Sequence, residues 1–308
     1  MSGGGELPPR ATAWVLSRVA GATAVESGTR LTGGLSAETR LLAVARRDDE
    51  PLQVVLKRFV EVSRGSCVAW EADALEALAH AALPYEVARV LGRDDAGSEC
   101  DVPALLMSRV PGRIAIEADS WGARVHALGE ALAAFHHLER PCPDSLPDYS
   151  QVGDKQRSKP VPDDVNLPDW SAVWRYVERL DSGGGELLHG DYHLGNALFE
   201  GERLTGVIDW ASARRGRREL DIAYCRVDLS MLLGGEAPDL FLAAYESKAQ
   251  RRVEDVSRFD LAACLRAFPD PVSWLPGWLD AGRSDLTPPL IRERLRDFVQ
   301  NALARARS

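Results

Sequence analysis

The chain has 308 residues, of which 45% are hydrophobic and 27% are charged, and its formal net charge at pH 7 is -9. This composition is typical of a folded globular protein and argues against intrinsic disorder. The acidic balance argues against a nucleic-acid partner, since nucleic-acid binders present a basic surface. The five cysteines include no C-x-x-C pair, and no apolar run is long enough to span a membrane. We therefore expect a cytoplasmic protein without a membrane partner.

The first 110 residues predict a small β-sheet with one helix. Short apolar runs between residues 28 and 60 are separated by Gly-Gly, Asp-Asp and Pro, which is typical of strands and turns. The segment "SCVAWEADALEALAHAAL" predicts a helix, with Trp70, Leu75, Leu78 and Ala82 along one stripe. "PALLMSRVPG" predicts a short strand that ends in a Pro-Gly turn.

From about residue 119 the pattern becomes helical. Five apolar residues at helical spacing predict a long core helix: Val125, Leu128, Leu132, Phe135 and Leu138. Residues 141–170 are rich in Pro and Asp and are too long for an ordinary connector, so they form either a lid or an insertion. The remainder is helical apart from one β segment. We therefore expect an α+β protein with a first lobe at 1–110 and a helical lobe at 111–308.

The stretch "HGDYHLGNALF" (189–199) begins that β segment. Two apolar runs around the turn "EGER" predict a hairpin in which Asn196 lies opposite Asp209, with Asp191 in the preceding loop. Carboxylate and amide oxygens that converge in this way suit a hard ion such as magnesium. Two other interpretations stay open: an H-x-D-x-H zinc site at His189 and His193, which requires further ligands, and a purely structural turn.

The same stretch resembles the catalytic loop H-G-D-x-x-x-x-N of the aminoglycoside phosphotransferase family, and "GVIDW" resembles the metal-binding aspartate motif of that family. The resemblance covers roughly residues 25 to 250. It implies a bilobal protein-kinase-like fold, with a small β-sheet N-lobe that binds nucleotide and a larger, mostly helical C-lobe that carries catalysis and substrate binding. It also implies a small-molecule kinase that transfers the γ-phosphate of ATP, with GTP as the alternative, to a hydroxyl acceptor and that is a monomer or homodimer.

The resemblance assigns roles to individual residues of the second lobe. Asp191 matches the catalytic base, and Asn196 and Asp209 match the residues that hold Mg²⁺ at the nucleotide phosphates. His189 and Asp221 match residues that support the catalytic loop.

In the first lobe, Lys57 of "VVLKRF" matches the lysine that contacts the nucleotide phosphates. Strand alternation alone does not decide between Lys57 and Arg58. Glu71 matches the helix glutamate that pairs with this lysine, and Glu76 on the same helix is its competitor.

Two further segments of the first lobe match nucleotide contacts. "LTGGLSAETR" lies where the loop that covers the nucleotide is expected, and Gly33 and Gly34 permit a turn that brings backbone amides near Ser36 to a phosphate. "LLMSRVPG" resembles the linker between the lobes, whose backbone at Ser108 and Val110 would contact the purine.

The acceptor is less constrained by the sequence. An antibiotic-type acceptor such as an aminoglycoside fits the acidity of the later chain, in which six aspartates stand out: Asp163, Asp164, Asp169, Asp270, Asp280 and Asp285. Macrolides, nucleoside antibiotics, and metabolites such as choline or homoserine are alternatives.

The four arginines of "ARRGRREL" form either a solvated face or an anion site, and Trp274 and Trp278 are either core residues or a wall for substrate. A protein kinase is disfavoured because "GVIDW" replaces D-F-G. A non-catalytic nucleotide-binding module is the alternative from another class.

Overall fold

The computed structural model describes residues 6–31, 37–61, 66–117, 119–138, 142–149, 157–163, 165–178, 180–181 and 183–307. The chain divides into two compact units. The first consists of Met1–Ala81, Glu86–Pro111 and Ile208–Ser212, and the second of Ala82–Tyr85, Gly112–Val207 and Ala213–Ser308. The functional division that we expect at residue 110 stays a prediction.

Among its described residues, the first unit contains a five-stranded antiparallel sheet and two α-helices. The strands, in chain order, are β1 (Ala22–Arg30), β2 (Glu38–Arg46), β3 (Leu52–Arg58), β4 (Val90–Asp94) and β5 (Ala104–Ser108). Their order across the sheet is β1-β2-β3-β5-β4. The helices are α1 (Pro9–Arg18) and α2 (Ser66–Leu78).

The core of the first unit lies between α1 and the sheet. Trp14 and Val15 of α1 are buried with Leu42 of β2 and Leu56 of β3. Helix α1 begins with a proline, whose fixed φ suits the first helical position. This helix is an addition to the one helix that the sequence predicts here.

Helix α2 is shorter than its sequence pattern predicts. Leu75 and Leu78 are buried as expected, but the helix ends at Leu78, and Ala82 is exposed beyond it. The extension of this helix to Ala82 is therefore wrong: residues 79 and 80 form a turn, and Pro84, which disfavours a helical residue before it, follows shortly after.

The second unit is mainly helical. Its α-helices are α3 (Trp121–His136), α4 (Trp170–Val177), α5 (Glu219–Leu232), α6 (Ala237–Ala249), α7 (Val256–Cys264), α8 (Leu275–Asp280) and α9 (Pro288–Arg307). Helix α5 is buried along its whole length and packs against α6, α7 and α9, as expected for the central helix of a bundle. On α3, the predicted core residues Val125, Leu128, Leu132 and Phe135 are buried, whereas Leu138 lies past the helix end.

Short strands of the second unit support the loop at 189–196. Strands β6 (Arg113–Ile114), β8 (Ala197–Glu200) and β9 (Arg203–Val207) form one sheet, and β7 (Glu186–Leu188) pairs with β10 (Arg214–Gly216). The predicted hairpin is therefore present as β8 and β9.

The register of the hairpin differs by one position from the prediction. Ala197 pairs with Val207 and Leu198 with Gly206, and a bulge follows between Leu198 and Phe199. The pairing of Asn196 opposite Asp209 is therefore wrong: Asn196 lies in the turn Leu194–Asn196, and Asp209 follows the end of β9.

The α+β class is as predicted. Within the described residues, no helix combines the length and apolar character needed to cross a bilayer. Part of the 141–170 segment, including residues 150–156 and Asp164, lies outside the described residues.

Candidate active site

In the first unit, two of the predicted residues, Glu71 and Asp209, both contact a third, Lys57, near the end of β3. The Lys57 ammonium donates to both carboxylate oxygens of Glu71, at 2.6 and 2.8 Å, and to Oδ1 of Asp209 at 2.8 Å. Lys57 and Glu71 are almost completely buried. The backbone N–H of Trp210 also donates to Glu71. One cation therefore lies between two carboxylates.

These contacts distinguish Lys57 from Arg58, and Glu71 from Glu76, the alternatives that the sequence left open. Arg58 extends from the same strand to Glu38 and Asp101, at 2.7 and 2.9 Å. Glu76 is exposed on α2. Burial by itself lowers the pKa of Lys57, but the carboxylates of Asp209 and Glu71 outweigh burial and hold that pKa well above its ordinary value. Lys57 is therefore a permanent cation.

Asp209 has a backbone conformation that few residues adopt. Its φ is +64°, in the left-handed region, where aspartate is tolerated better than most side chains. Immediately after it, the turn Trp210–Ser212 packs against α2. The backbone strain at Asp209 is maintained by this packing and by the Lys57 contact, a pattern common at functional sites.

The predicted purine contacts lie at the end of β5. The hydroxyl of Ser108 accepts a hydrogen bond from the Arg89 N–H at 2.8 Å, and the Ser108 N–H donates to the Arg89 carbonyl at 2.9 Å. Val110 is buried. Ser36, Gly33 and Gly34 lie outside the described residues.

The second unit fixes the loop that carries Asp191 at several points. Both carboxylate oxygens of Asp221, on α5, accept hydrogen bonds from the loop: the His189 N–H at 2.7 Å and the Gly190 N–H at 2.9 Å. The Tyr192 hydroxyl donates to the Leu128 carbonyl of α3 at 2.9 Å. Asp221, His189 and Tyr192 are buried, so the loop is attached to the helical core.

Asn196 closes the loop back onto Asp191. Its Nδ2 donates to the Asp191 carbonyl at 2.9 Å and lies 3.4 Å from Asp191 Oδ2. Because Nδ2 makes these contacts, Oδ1 is the atom that Asn196 can offer to a cation. The pairing of Asp191 with Asn196 is thus formed inside the second unit.

Arg266 is a neighbour of Asp191 that the sequence did not identify. It lies in the turn Leu265–Ala267, where its Nη2 donates to Asp191 Oδ1 at 3.0 Å and its Nη1 donates to the Gly190 carbonyl at 2.6 Å. Its guanidinium carbon lies 3.7 Å from the centre of the Tyr224 ring. Seventy-five residues separate Arg266 from Asp191, and no motif marks it.

His193 is the second basic group beside Asp191. Its Nε2 lies 3.8 Å from Asp191 Oδ2, and its Nδ1 lies 3.9 Å from Asp228 Oδ1. Burial lowers the pKa of His193, but the two carboxylates outweigh burial and raise it to about 9. In its neutral form, Nδ1 also accepts a hydrogen bond from the Gly195 N–H. The attraction of the two carboxylates for the protonated ring outweighs this single hydrogen bond to the neutral ring.

The protonation state of Asp191 follows from these neighbours. Burial raises the pKa of Asp191, but His193 and Arg266 outweigh burial and hold that pKa well below its ordinary range. Asp191 is therefore an ionised carboxylate that accepts hydrogen bonds.

The histidines of the H-x-D-x-H string have contacts other than metal ligation. The Nδ1 atom of His189 accepts a hydrogen bond from the Asp191 N–H at 3.2 Å, and His193 lies between two carboxylates. Across the parts of the chain that the structure describes, no group of three or more His, Cys, Asp or Glu side chains has the arrangement of a metal site.

The arginine cluster of "ARRGRREL" lies among carboxylates. Arg215 pairs with Asp148 at 2.7 Å, and Arg218 Nε donates to Glu186 at 2.6 Å. Arg217 lies 3.3 Å from Glu219. These three arginines are therefore compensated by carboxylates of the protein itself.

Three of the aspartates expected to bind amines also have partners in the chain. Asp270 pairs with Arg292 at 2.6 Å, and Asp285 pairs with Arg283 at 2.7 Å. Asp169 caps α4 by accepting from the Ala172 N–H. Asp163 and Asp280 are exposed.

The two tryptophans belong to an aromatic row that begins at His193. The ring of Tyr224 lies 6.1 Å from His193 and 5.6 Å from Trp274, and Trp274 lies 6.0 Å from Trp278. Trp278 is buried, whereas Trp274 is partly exposed.

The sequence matches the phosphotransferase enzyme family over residues 27–256, which is most of the chain. The chain belongs to this family. The predicted activity class, a phosphotransferase with an alcohol group as acceptor, is thereby confirmed. Among curated proteins, no sequence matches this chain.

Solved structures confirm the kinase-like α+β fold of this family. A thermostable mutant of aminoglycoside phosphotransferase APH(4)-Ia, in a complex with ADP and hygromycin B, is similar with a TM-score of 0.60 and 15% identity over 94% of this chain and 97% of that chain. Macrolide 2'-phosphotransferase MphH from Brachybacterium faecium has a TM-score of 0.57 and 17% identity, over 93% and 97%. A type I macrolide 2'-phosphotransferase has a TM-score of 0.57 and 20% identity, over 96% of each chain.

Proposed function

We propose that the protein is a magnesium-dependent small-molecule kinase that transfers the γ-phosphate of ATP or GTP to a hydroxyl group of an antibiotic-type acceptor. The observation that carries this proposal is the ion triple of Lys57, Glu71 and Asp209 in the first unit. A buried lysine held by two carboxylates has lost the hydration that a surface lysine keeps, and its charge is suited to a phosphate oxygen.

The residues assigned to magnesium fit that ion. Asp209 offers a carboxylate and Asn196 offers the amide oxygen Oδ1, and hard oxygen ligands of this kind are preferred by Mg²⁺. When bound, magnesium neutralises charge on the phosphate oxygens. The triple also carries one positive and two negative groups, and this excess negative charge would favour a divalent cation at Asp209.

The protein's own residues perform the remaining steps. Lys57 holds a phosphate oxygen, and Glu71 holds Lys57 in place. Asp191 orients the acceptor hydroxyl by accepting its hydrogen bond. As the acceptor oxygen forms its bond to the γ-phosphorus, the bond from that phosphorus to the nucleoside diphosphate oxygen breaks, and the hydroxyl proton passes to Asp191. Asp221 and His189 keep the loop in position.

The acceptor class rests on the similar structures. One of them contains hygromycin B, and others are macrolide phosphotransferases. An aminoglycoside is therefore the first acceptor to test. Macrolides, nucleoside antibiotics, choline and homoserine are the further candidates.

The test is acceptor-dependent consumption of nucleotide. The purified protein is incubated with ATP or GTP, with magnesium or with a chelator, and with each acceptor in turn, and nucleoside diphosphate release is measured. We expect release that requires both magnesium and a hydroxyl acceptor. Nucleotide binding without turnover across all acceptors would instead identify a non-catalytic module, and activity that depends on zinc would contradict the assignment of Asn196 and Asp209.

A further inference from the structure

The charged groups around Asp191 differ in their access to solvent. The side chains of Asp191 and Arg266 are 27% and 28% exposed, and that of His193 is 21% exposed. The neighbouring carboxylates of Asp228 and Asp221 are only 3% and 2% exposed. Around the exposed carboxylate of Asp191, the accessible charged groups are therefore basic, whereas the other two carboxylates of the cluster, those of Asp228 and Asp221, are buried.

Arg266 is held in one orientation. Its Nη1 and Nη2 bond to Gly190 and Asp191, and its guanidinium face lies on Tyr224. These two bonds use two of the five N–H groups that a guanidinium carries. An arginine with a fixed plane and remaining donors is suited to a planar carboxylate or to a phosphate group, which it can bind through two parallel hydrogen bonds.

The acidic residues that would attract a polyamine are compensated elsewhere. Asp270 and Asp285 are each paired with an arginine, and Asp169 caps a helix. Near Asp191, a cationic acceptor would meet Arg266 at the point where its hydroxyl must bind. Like charges in a partly buried setting repel strongly. Because the Asp191 carboxylate is already bonded to Arg266 and lies beside His193, it is not free to compensate an added cation at this position.

We propose that Arg266 is a specificity-determining residue and that the acceptor carries a carboxylate or phosphate group close to the hydroxyl that is phosphorylated. This inference rests on the proposed kinase function: it keeps the hydroxyl acceptor but replaces the antibiotic type by hydroxy acids or phosphorylated alcohols. The shared chemistry is an anionic oxygen group, which the nucleotide also carries, so the test must separate the acceptor from the nucleotide.

The first arm of the test compares acceptors that share a carbon skeleton but differ in charge. Gluconate, glucose 6-phosphate, glucose and glucosamine form one set, and glycerate, glycerol and 3-amino-1,2-propanediol form another. Hygromycin B and a macrolide are added as cationic antibiotics. We expect kcat/KM for the acidic member to exceed that of its neutral and amine counterparts by about tenfold to a hundredfold, the range of a hydrogen bond to a charged group.

The second arm removes the guanidinium. Arg266→Met should lower the ratio of kcat/KM between the acidic acceptor and its neutral counterpart by about tenfold or more, with the nucleotide KM unchanged. The ratio is the informative quantity, because a loss of activity caused by displacement of Asp191 lowers kcat/KM for both acceptors equally. Arg266→Lys should restore part of the preference, and Arg266→Gln gives the same comparison should the methionine variant not fold.

A matched control exists in the first unit. Arg18, on α1, also lies over an aromatic ring, that of Trp14, and donates to the carboxylate of Glu99, with a similar exposure of 34%. Arg18→Met should leave the acceptor ratio and the nucleotide KM unchanged.

The outcomes separate this inference from the proposed function. A preference for acidic acceptors that disappears in Arg266→Met supports the inference. Best turnover with a neutral or cationic acceptor overturns it but leaves the kinase function standing, as does an Arg266→Met variant that loses activity equally with every acceptor. A rise in the nucleotide KM assigns Arg266 to the nucleotide and also overturns the inference. Absence of turnover with every acceptor overturns the kinase function itself.

Discussion

The ionic clusters of the two units are built with opposite signs. In the first unit a lysine lies between the carboxylates of Glu71 and Asp209, and in the second the carboxylate of Asp191 lies between Arg266 and His193. The first cluster has an excess of negative charge and so favours a metal cation. The second is already compensated by the protein and needs no metal to keep its carboxylate ionised. If the proposed function holds, the first cluster handles phosphate and the second activates the hydroxyl, and the two tasks are distinguished by the sign of their charge.

The largest expected effect is at Asp209. Asp209→Ala removes one carboxylate of the first cluster, so we expect turnover to be lost and magnesium-dependent nucleotide binding to weaken. Asp255→Ala is the matched control, because Asp255 also has a positive φ, of +52°, and is exposed. Metal-independent turnover, or an active Asp209→Ala enzyme, would show that catalysis does not require the excess negative charge of this cluster.

The next largest effect is at Asp191. Asp191→Asn keeps the size of the side chain but removes the proton acceptor, so kcat should fall by about a hundredfold or more while nucleotide affinity stays the same. Asp239→Asn serves as the control, since Asp239 also pairs with an arginine, at 3.2 Å. Steady-state kinetics and a nucleotide titration check both quantities, and near-normal turnover would falsify the assignment of the base.

A smaller effect is expected at Glu71. Glu71→Gln removes the charge that holds Lys57, so kcat/KM for the nucleotide should fall by roughly tenfold to a hundredfold. Glu76→Gln, on the exposed face of the same helix, should have no effect. Equal kinetics for the two variants would mean that the buried pair is only structural.

The smallest effect is expected at Ser108. The proposed purine contacts are made by the backbone, so Ser108→Ala should change the nucleotide KM by less than about threefold. A larger rise, with unchanged acceptor kinetics, would show that the hydroxyl itself contacts the nucleotide. The bond that this hydroxyl accepts from Arg89 would then have to break on binding.

The predictability of the fold followed the strength of each local pattern. Leu128 and Leu132 of α3 belong to a long apolar stripe, which predicts a core helix correctly. Helix α1 has only ten residues, so its short stripe did not predict it. The hairpin register differs from the predicted one because the tight turn places Glu200 opposite Arg203, two positions from the expected pairing, and the bulge between Leu198 and Phe199 removes only one of these two positions.

The site was predictable only where a motif marks it. Asp191 and Asn196 are five residues apart in one loop, and Asp209 follows in the predicted hairpin. Lys57 is 152 residues from Asp209 and was matched through the family resemblance alone. Arg266 has no motif and is one of 37 lysines and arginines. Its contact with Asp191 is created by tertiary packing, which spacing along the chain does not reveal.

The attachment of the catalytic loop to α5 has a consequence for hydrogen exchange. The amides of His189 and Gly190 are bonded to a buried carboxylate, and that of Asp191 to the His189 ring, although none of the three belongs to a helix or strand. Amides bonded in this way exchange with deuterium only when the surrounding core opens. On the timescale of minutes to hours, the segment that carries Asp191 should therefore exchange as slowly as the central helix to which it is attached.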